Sequence, residues 1–69
     1  MKYYQQALIV TSPPITLESF LEWELLVSQA RGEEADRIGE LFESMIFHAP
    51  EVYEEYTLYC LEQQKPGEQ

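Results

Sequence analysis

Residues 16–31 read TLESFLEWELLVSQAR, a stretch in which apolar side chains recur at three- and four-residue spacing. This spacing places them on one face of a helix. Thr16 has the side chain of a helix N-cap, and Glu18 falls in the first turn, where a carboxylate complements the positive end of the helix dipole. Gly32 ends the pattern. The stretch therefore predicts a first helix over residues 16–31.

Two further helices are predicted after this one. Residues 33–48 carry apolar side chains at helical spacing on one side: Ala35, Ile38, Leu41, Phe42, Met45 and Ile46. Pro50 suits the first position of a helix and no interior position, so it predicts a third helix over residues 50–63. The last residues, 65–69, read KPGEQ and are predicted to be a disordered tail.

The N-terminal segment has a different pattern. Residues 6–11 read QALIVT, a short apolar run with β-branched side chains, and Pro13 and Pro14 end it. We therefore expect an extended arm over residues 1–15 that contains at most one strand. A lone strand would leave its backbone groups unpaired, so residues 7–11 would pair with a second copy or with a partner's sheet. Alternatively, the arm lies extended across the helices.

The length of the chain allows one small domain, predicted over residues 1–64. A chain of 69 residues buries only about 60% of the surface that its unfolded form exposes. One cysteine and one histidine provide neither an internal disulfide nor a zinc site, so association is the remaining source of stability. We expect a mostly α, three-helix protein that forms a homodimer, in which Phe20 and Trp23 lose exposure.

The charge of the chain limits its partners. Thirteen acidic and four basic side chains give a net charge of −9, which repels polyanions and attracts basic surfaces. Direct nucleic-acid binding is therefore not expected. The N-terminus lacks the charged-then-apolar order of a signal peptide, and no apolar run approaches the roughly 20 residues that span a bilayer. We expect a cytoplasmic protein with a protein partner and no membrane contact.

Two surfaces are candidates for partner binding. At 100° per residue, four acidic residues fall together on the second helix, opposite its apolar side: Glu33, Asp36, Glu40 and Glu43. They form either a solvated face or a surface that docks a basic partner. On the third helix Tyr53, Tyr56 and Tyr59 stand three apart, which suits an interface or an ordinary core. Phe47 projects towards the acidic side, as a contact residue or as a cap over the turn into Pro50.

The sequence offers little for chemistry at a site. His48 with Glu51 and Glu55 is a weak metal candidate, because metal sites in helical bundles take about six ligands from facing helices. We expect His48 to have a structural role at a helix end. No histidine is placed to activate Cys60, so we expect it to be a small buried apolar side chain. No catalytic residue, metal site or cofactor is predicted.

Part of the chain resembles a known family. The sequence ITLE at residues 15–18, Glu34 with Ala35, LFESMI at residues 41–46, and Tyr53 with Glu55 are similar to the small phycobilisome-degradation adaptors of cyanobacteria. The resemblance implies a dimeric helical bundle that binds phycobiliproteins and presents them to a protease chaperone. Pro50 would interrupt the long helix of that family.

These features together predict a non-enzymatic adaptor or interaction protein. The alternative is an acidic inhibitor or antitoxin that occupies the basic site of a nuclease or a nucleic-acid-binding protein. The two hypotheses differ in salt dependence. An adaptor that binds through tyrosines would respond modestly to salt, whereas an inhibitor that binds through carboxylates would respond steeply.

Overall fold

The computed structural model of the protein describes residues 1–64. Over these residues the chain forms four helices joined by short connections. They are α1 (Lys2–Val10), α2 (Leu17–Gln29), α3 (Gly32–His48) and α4 (Pro50–Gln63). The prediction of a mostly α protein is confirmed. The predicted disordered tail, residues 65–69, lies outside the described residues.

Local signals explain where α2 begins and ends. Thr16 Oγ1 accepts a hydrogen bond from the Ser19 N–H at 3.4 Å, and the Thr16 N–H donates to Ser19 Oγ at 3.1 Å. This reciprocal capping box satisfies two amides that the first helical turn leaves without partners, and it confirms Thr16 as the N-cap. At the other end Ala30 is extended and Gly32 has a φ of +60°. That left-handed conformation favours glycine, so the chain turns there into α3.

The N-terminal segment requires a correction, because residues 2–10 are helical and no strand forms within residues 1–64. The β-branched run favours a strand only locally. As a helix, the segment satisfies its backbone groups internally and places Tyr3, Ala7 and Val10 on the side that packs against the rest of the chain. Ala7 is fully buried. Residues 1–64 thus form four helices, whereas the sequence predicts three.

A contact from a distant part of the chain holds α1 in place. The Tyr4 N–H, one of the amides without a partner inside α1, donates to Glu34 Oε2 at 2.9 Å. Glu34 lies in the first turn of α3, 30 residues away. Its carboxylate also faces the positive end of the α1 dipole, which adds a favourable charge interaction. The link ties the N-terminus of α1 to the N-terminal end of α3.

Removing this carboxylate should weaken the docking of α1. We expect Glu34→Ala to lower the free energy of unfolding by about 1–2 kcal/mol, because the Tyr4 amide loses its partner. Glu43→Ala, at an exposed position of the same helix, should change stability by no more than about 0.5 kcal/mol. Urea unfolding followed by circular dichroism measures both values. Equal stabilities for the two variants would show that the Glu34 contact does not hold α1.

The core consists of two clusters at opposite ends of the α2–α3 pair. The first cluster, under α1, is built around Ala7, Leu26, Ala30 and Ile38. The second, under α4, is built around Phe20, Met45 and Tyr56. Trp23 packs against both clusters. Helices α1 and α4 each pack on α2 and α3 and do not contact each other, so the molecule is elongated, with extents of 40 × 25 × 15 Å.

The burial of Phe20 corrects one expectation about association. Its side chain is fully buried within a single chain, against the rings of Phe42 and Tyr56. Phe20 therefore cannot lose exposure when two copies associate. The residues available for association are apolar side chains that the four helices leave exposed.

Candidate functional site

The outer side of α3 carries the four predicted acidic residues. Glu33, Asp36, Glu40 and Glu43, called the acidic face here, are all exposed. Ile38 and Met45 on the opposite side are fully buried. The helix thus has charged and apolar residues on opposite sides, and it presents negative charge to solvent along nearly three turns.

Most of the acidic face has no positive charge to balance it. Arg37 Nη2 lies 3.0 Å from Glu33 Oε2, and both side chains are more than half exposed. Such surface pairs contribute about 0.3–0.5 kcal/mol on a helix. Within residues 1–64, Asp36, Glu40 and Glu43 form no salt bridge. The face is therefore free to attract a basic surface.

Phe47 continues the acidic face at its C-terminal end. The residue lies one helical turn after Glu43, and its side chain is 82% exposed, the highest value among the large apolar side chains of the described chain. Its ring meets the His48 ring edge to face at 5.4 Å. This exposure favours a contact residue over a cap on the turn into Pro50. An exposed aromatic ring beside unpaired carboxylates is a typical contact residue for a protein partner.

The His48 ring forms a hydrogen bond with the C-terminal end of its own helix. Its Nδ1 lies 2.9 Å from the carbonyl oxygen of Ser44, so the ring N–H closes one of the last carbonyl groups of α3. This contact accords with the structural role that the sequence predicts. No group of three or more metal-ligating side chains lies together within residues 1–64.

The three tyrosines do not share one surface. Tyr56 is only 9% exposed and stacks on Phe20, with ring centroids 5.0 Å apart. Tyr53 is half-buried and meets Phe42 edge to face at 5.6 Å. Tyr59 is the most exposed of the three, with 37% of its area exposed. Packing in the core thus accounts for Tyr56 and for the buried part of Tyr53, so the three rings do not form one contact surface.

Burial also changes the acidity of Tyr56. Removal from water raises the pKa of the Tyr56 phenol, and the neighbouring Cys60 side chain and Glu24 carboxylate raise it further. Each of these causes disfavours the phenolate. The hydroxyl therefore stays protonated far into the alkaline range.

This raised pKa predicts a loss of stability in alkali. The folded state keeps a proton that the unfolded chain releases above about pH 10, so the stability is fully present below that pH and falls as the pH rises through the folded pKa. Tyr56→Phe keeps the stacked ring and removes the proton. We expect the variant to lose less stability than the parent between about pH 9 and pH 11, measured by urea unfolding. Parallel losses would contradict the role of Tyr56.

The sequence reasoning missed several exposed apolar residues. Leu58 and Leu61 on α4 are each 59% exposed, and Ile9 on α1 and Leu25 on α2 are 75% and 60% exposed. At 100° per residue, Leu58 lies on the opposite side of α4 from Tyr56. The sequence already indicates that one set stays exposed, because a helix at the surface with apolar residues on two opposite sides can bury only one of those sides.

Neither a membrane-spanning helix within residues 1–64 nor a match to known proteins is found. Within residues 1–64, every helix is too short or too polar to cross a bilayer. Comparisons of the chain with protein-family models, with curated proteins and with solved structures find no match. The resemblance to phycobilisome-degradation adaptors stays a prediction that rests on the residues quoted for it.

Proposed function

We propose that this chain is a non-enzymatic adaptor of the cytoplasm that binds a protein with a basic surface through the acidic face and Phe47. The observation that carries the proposal is the combination of an 82% exposed aromatic ring with neighbouring carboxylates that form no salt bridge within residues 1–64. The carboxylates steer a basic partner to the surface, and the ring supplies apolar contact area once the partner has arrived.

An acidic inhibitor is the second candidate function. Its support is the run of carboxylates along nearly three turns of α3, which repeats negative charge along a line as a phosphate backbone does. An inhibitor would compete with nucleic acid for its partner and would lose affinity steeply with salt. An adaptor would bind beside the nucleic-acid site or to a partner without one. Competition with a duplex oligonucleotide distinguishes the two.

We also propose that the protein is a homodimer joined through α1 and α2. Helix α1 has no aspartate or glutamate, and its solvent side exposes Leu8 and Ile9. Beside it, a groove of about 300 Å³ between α1 and α2 is lined by Gln6, Val10, Glu22, Leu25 and Leu26, so Glu22 brings a carboxylate to it. In a chain of net charge −9, a surface centred on α1, the helix without carboxylates, brings two copies together with little repulsion.

The dimer is tested by light scattering at micromolar concentration. The parent chain should have the mass of a dimer, and the double variant Ile9→Ser, Leu25→Ser should have the mass of a monomer. Leu58→Ser with Leu61→Ser removes comparable exposed apolar area from α4 and should remain dimeric. A monomeric parent chain would overturn this part of the proposal.

The partner contact is tested by affinity capture from a cell extract with matched baits. Glu40→Gln with Glu43→Gln removes two charges from the acidic face, and Glu55→Gln with Glu62→Gln removes two exposed charges from α4. We expect a protein that the parent and the α4 variant retain at low salt and that the α3 variant and Phe47→Ala lose. If every bait retains the same proteins, the acidic face is only a solvated surface.

A further inference from the structure

Helix α4 has a second apolar side that none of the other three helices in residues 1–64 covers. Its inner side packs Val52, Tyr53 and Tyr56 into the second core cluster. Its outer side carries Leu58 and Leu61, one turn apart and each 59% exposed. Two leucines that stay in water contribute none of the hydrophobic stabilisation that their burial would give. These positions therefore need an explanation beyond the fold of the single chain.

A groove begins at the start of the helix and lies between this outer side and the half-buried Tyr53. It has a volume of about 490 Å³ and is lined by Pro50, Glu51, Tyr53, Glu54, Thr57 and Leu58. The lining combines apolar surface with two carboxylates and contains no lysine or arginine. From Pro50 to Leu58 the groove follows about 12 Å of helix, which is a little over two turns. A second helix can lie along a groove of that length and contact it at every turn.

We propose that this groove binds a basic amphipathic helix of another protein. The apolar side of that helix, with residues at positions i, i+3, i+4 and i+7, covers Tyr53, Thr57 and Leu58, which is the usual way a helix fills a groove. Its lysines or arginines lie against Glu51 and Glu54. This site is separate from the acidic face of α3, and it does not require that face to be functional.

The charge of α4 argues for such a helix and against a second copy of the chain. Helix α4 contains Glu51, Glu54, Glu55 and Glu62 and no basic residue. Two copies paired through α4 would place these carboxylates against one another, in molecules that each carry a net charge of −9. A helix rich in lysine or arginine gains attraction from the same residues. Complementary charge thus selects the occupant. Leu58 in the lining, with the exposed Leu61 one turn beyond it, supplies apolar contact area.

The direct test uses fluorescence polarisation with three labelled peptides. The first has leucines at i, i+3, i+4 and i+7 and lysines at the other positions. The second has the same composition in scrambled order, so that no apolar side forms, and the third has glutamate in place of lysine. We expect the first peptide to bind at least about tenfold more tightly than either of the others. Equal binding of the first two would show unspecific attraction of polycations and would overturn the proposal.

Variants of the chain locate the binding site. Leu58→Ser with Leu61→Ser should weaken the first peptide at least about tenfold, because the contact area is lost. Glu51→Gln with Glu54→Gln should weaken it at low salt and have little effect at high salt. Leu25→Ser is the matched control, because this residue is 60% exposed on a different helix, in the proposed dimer contact and outside the groove. It should leave the peptide affinity unchanged even where it weakens self-association.

Two outcomes with these variants would overturn the proposal. One is an unchanged affinity of the Leu58 and Leu61 variant for the first peptide, with circular dichroism showing that it is folded. The other is loss of self-association in that variant, which would mean that a second copy occupies the groove. Peptide binding by the Glu40→Gln, Glu43→Gln variant should equal that of the parent, so failure of the α3 contact and failure of this groove give different results.

Discussion

Phe20→Ala is expected to leave much of the protein unfolded at 25 °C. The Phe20 side chain is fully buried and contacts the rings of Phe42, Tyr53 and Tyr56, with centroid distances of 5.0 to 6.2 Å. Removing a buried phenylalanine costs about 3–5 kcal/mol through lost burial and the cavity left behind. A domain of this length has a total stability of roughly 3–10 kcal/mol, so the loss is of the same order.

Leu61→Ala is the control for this prediction. It shortens a large apolar side chain at a position of α4 that is 59% exposed, outside the proposed dimer contact, and should cost no more than about 0.5 kcal/mol. Urea unfolding followed by circular dichroism at 222 nm, the usual helix signal, compares the two variants with the parent. A Phe20→Ala variant as stable as Leu61→Ala would contradict the packing of the second core cluster.

Trp23→Ala is expected to have an effect of similar size for a different reason. The indole ring stacks on Phe42 at 4.6 Å, and its Nε1–H donates to the carbonyl oxygen of Ile38 at 2.7 Å. Because Trp23 packs against both core clusters, its loss affects the contacts of α1 and of α4 together. We expect a loss of about 3–5 kcal/mol.

Trp23→Phe separates the two contributions of this residue. The smaller ring can still stack on Phe42 but cannot donate to the Ile38 carbonyl, and we expect a loss of about 1–2 kcal/mol. The same urea unfolding experiment measures both variants. A Trp23→Ala variant that loses less than Trp23→Phe would show that the tryptophan does not join the two clusters.

The beginnings of α2 and α4 could be predicted because their signals are local. The capping box at Thr16 involves a residue only three positions away, and Pro50 is restricted by its own ring. Neither signal depends on how the helices pack. The exposure of the acidic face could be predicted for a similar reason, since the spacing of its residues already places them opposite Ile38 on a helix.

The structure of the N-terminal segment could not be predicted in this way. Ile9, Val10 and Thr11 have side chains that favour a strand, and this preference is weak compared with tertiary contacts. What favours the helix is the burial of Ala7 and the hydrogen bond from Tyr4 to Glu34. Glu34 is 30 residues away, so no pattern within the segment reveals the contact.

The inner side of α4 was ambiguous for a different reason. Tyrosines and leucines occupy opposite sides of this helix, and either side can form a core. The tyrosine side forms the core because Tyr56 stacks on the Phe20 ring and Tyr53 meets the Phe42 ring edge to face. Only the packing of α4 on α2 and α3 shows that Leu58 and Leu61 remain outside.

The most direct test of the central claim is the rate at which the purified chain associates with the protein that it captures, measured by stopped flow across a range of salt concentrations. We expect Glu40→Gln with Glu43→Gln to lower the association rate severalfold at low salt, to change the dissociation rate little and to weaken the dependence on salt, because exposed charge acts mainly on encounter. Glu55→Gln with Glu62→Gln should associate nearly as fast as the parent. Equal rates and equal salt dependence for all three chains would contradict the claim that the acidic face of α3 binds the partner.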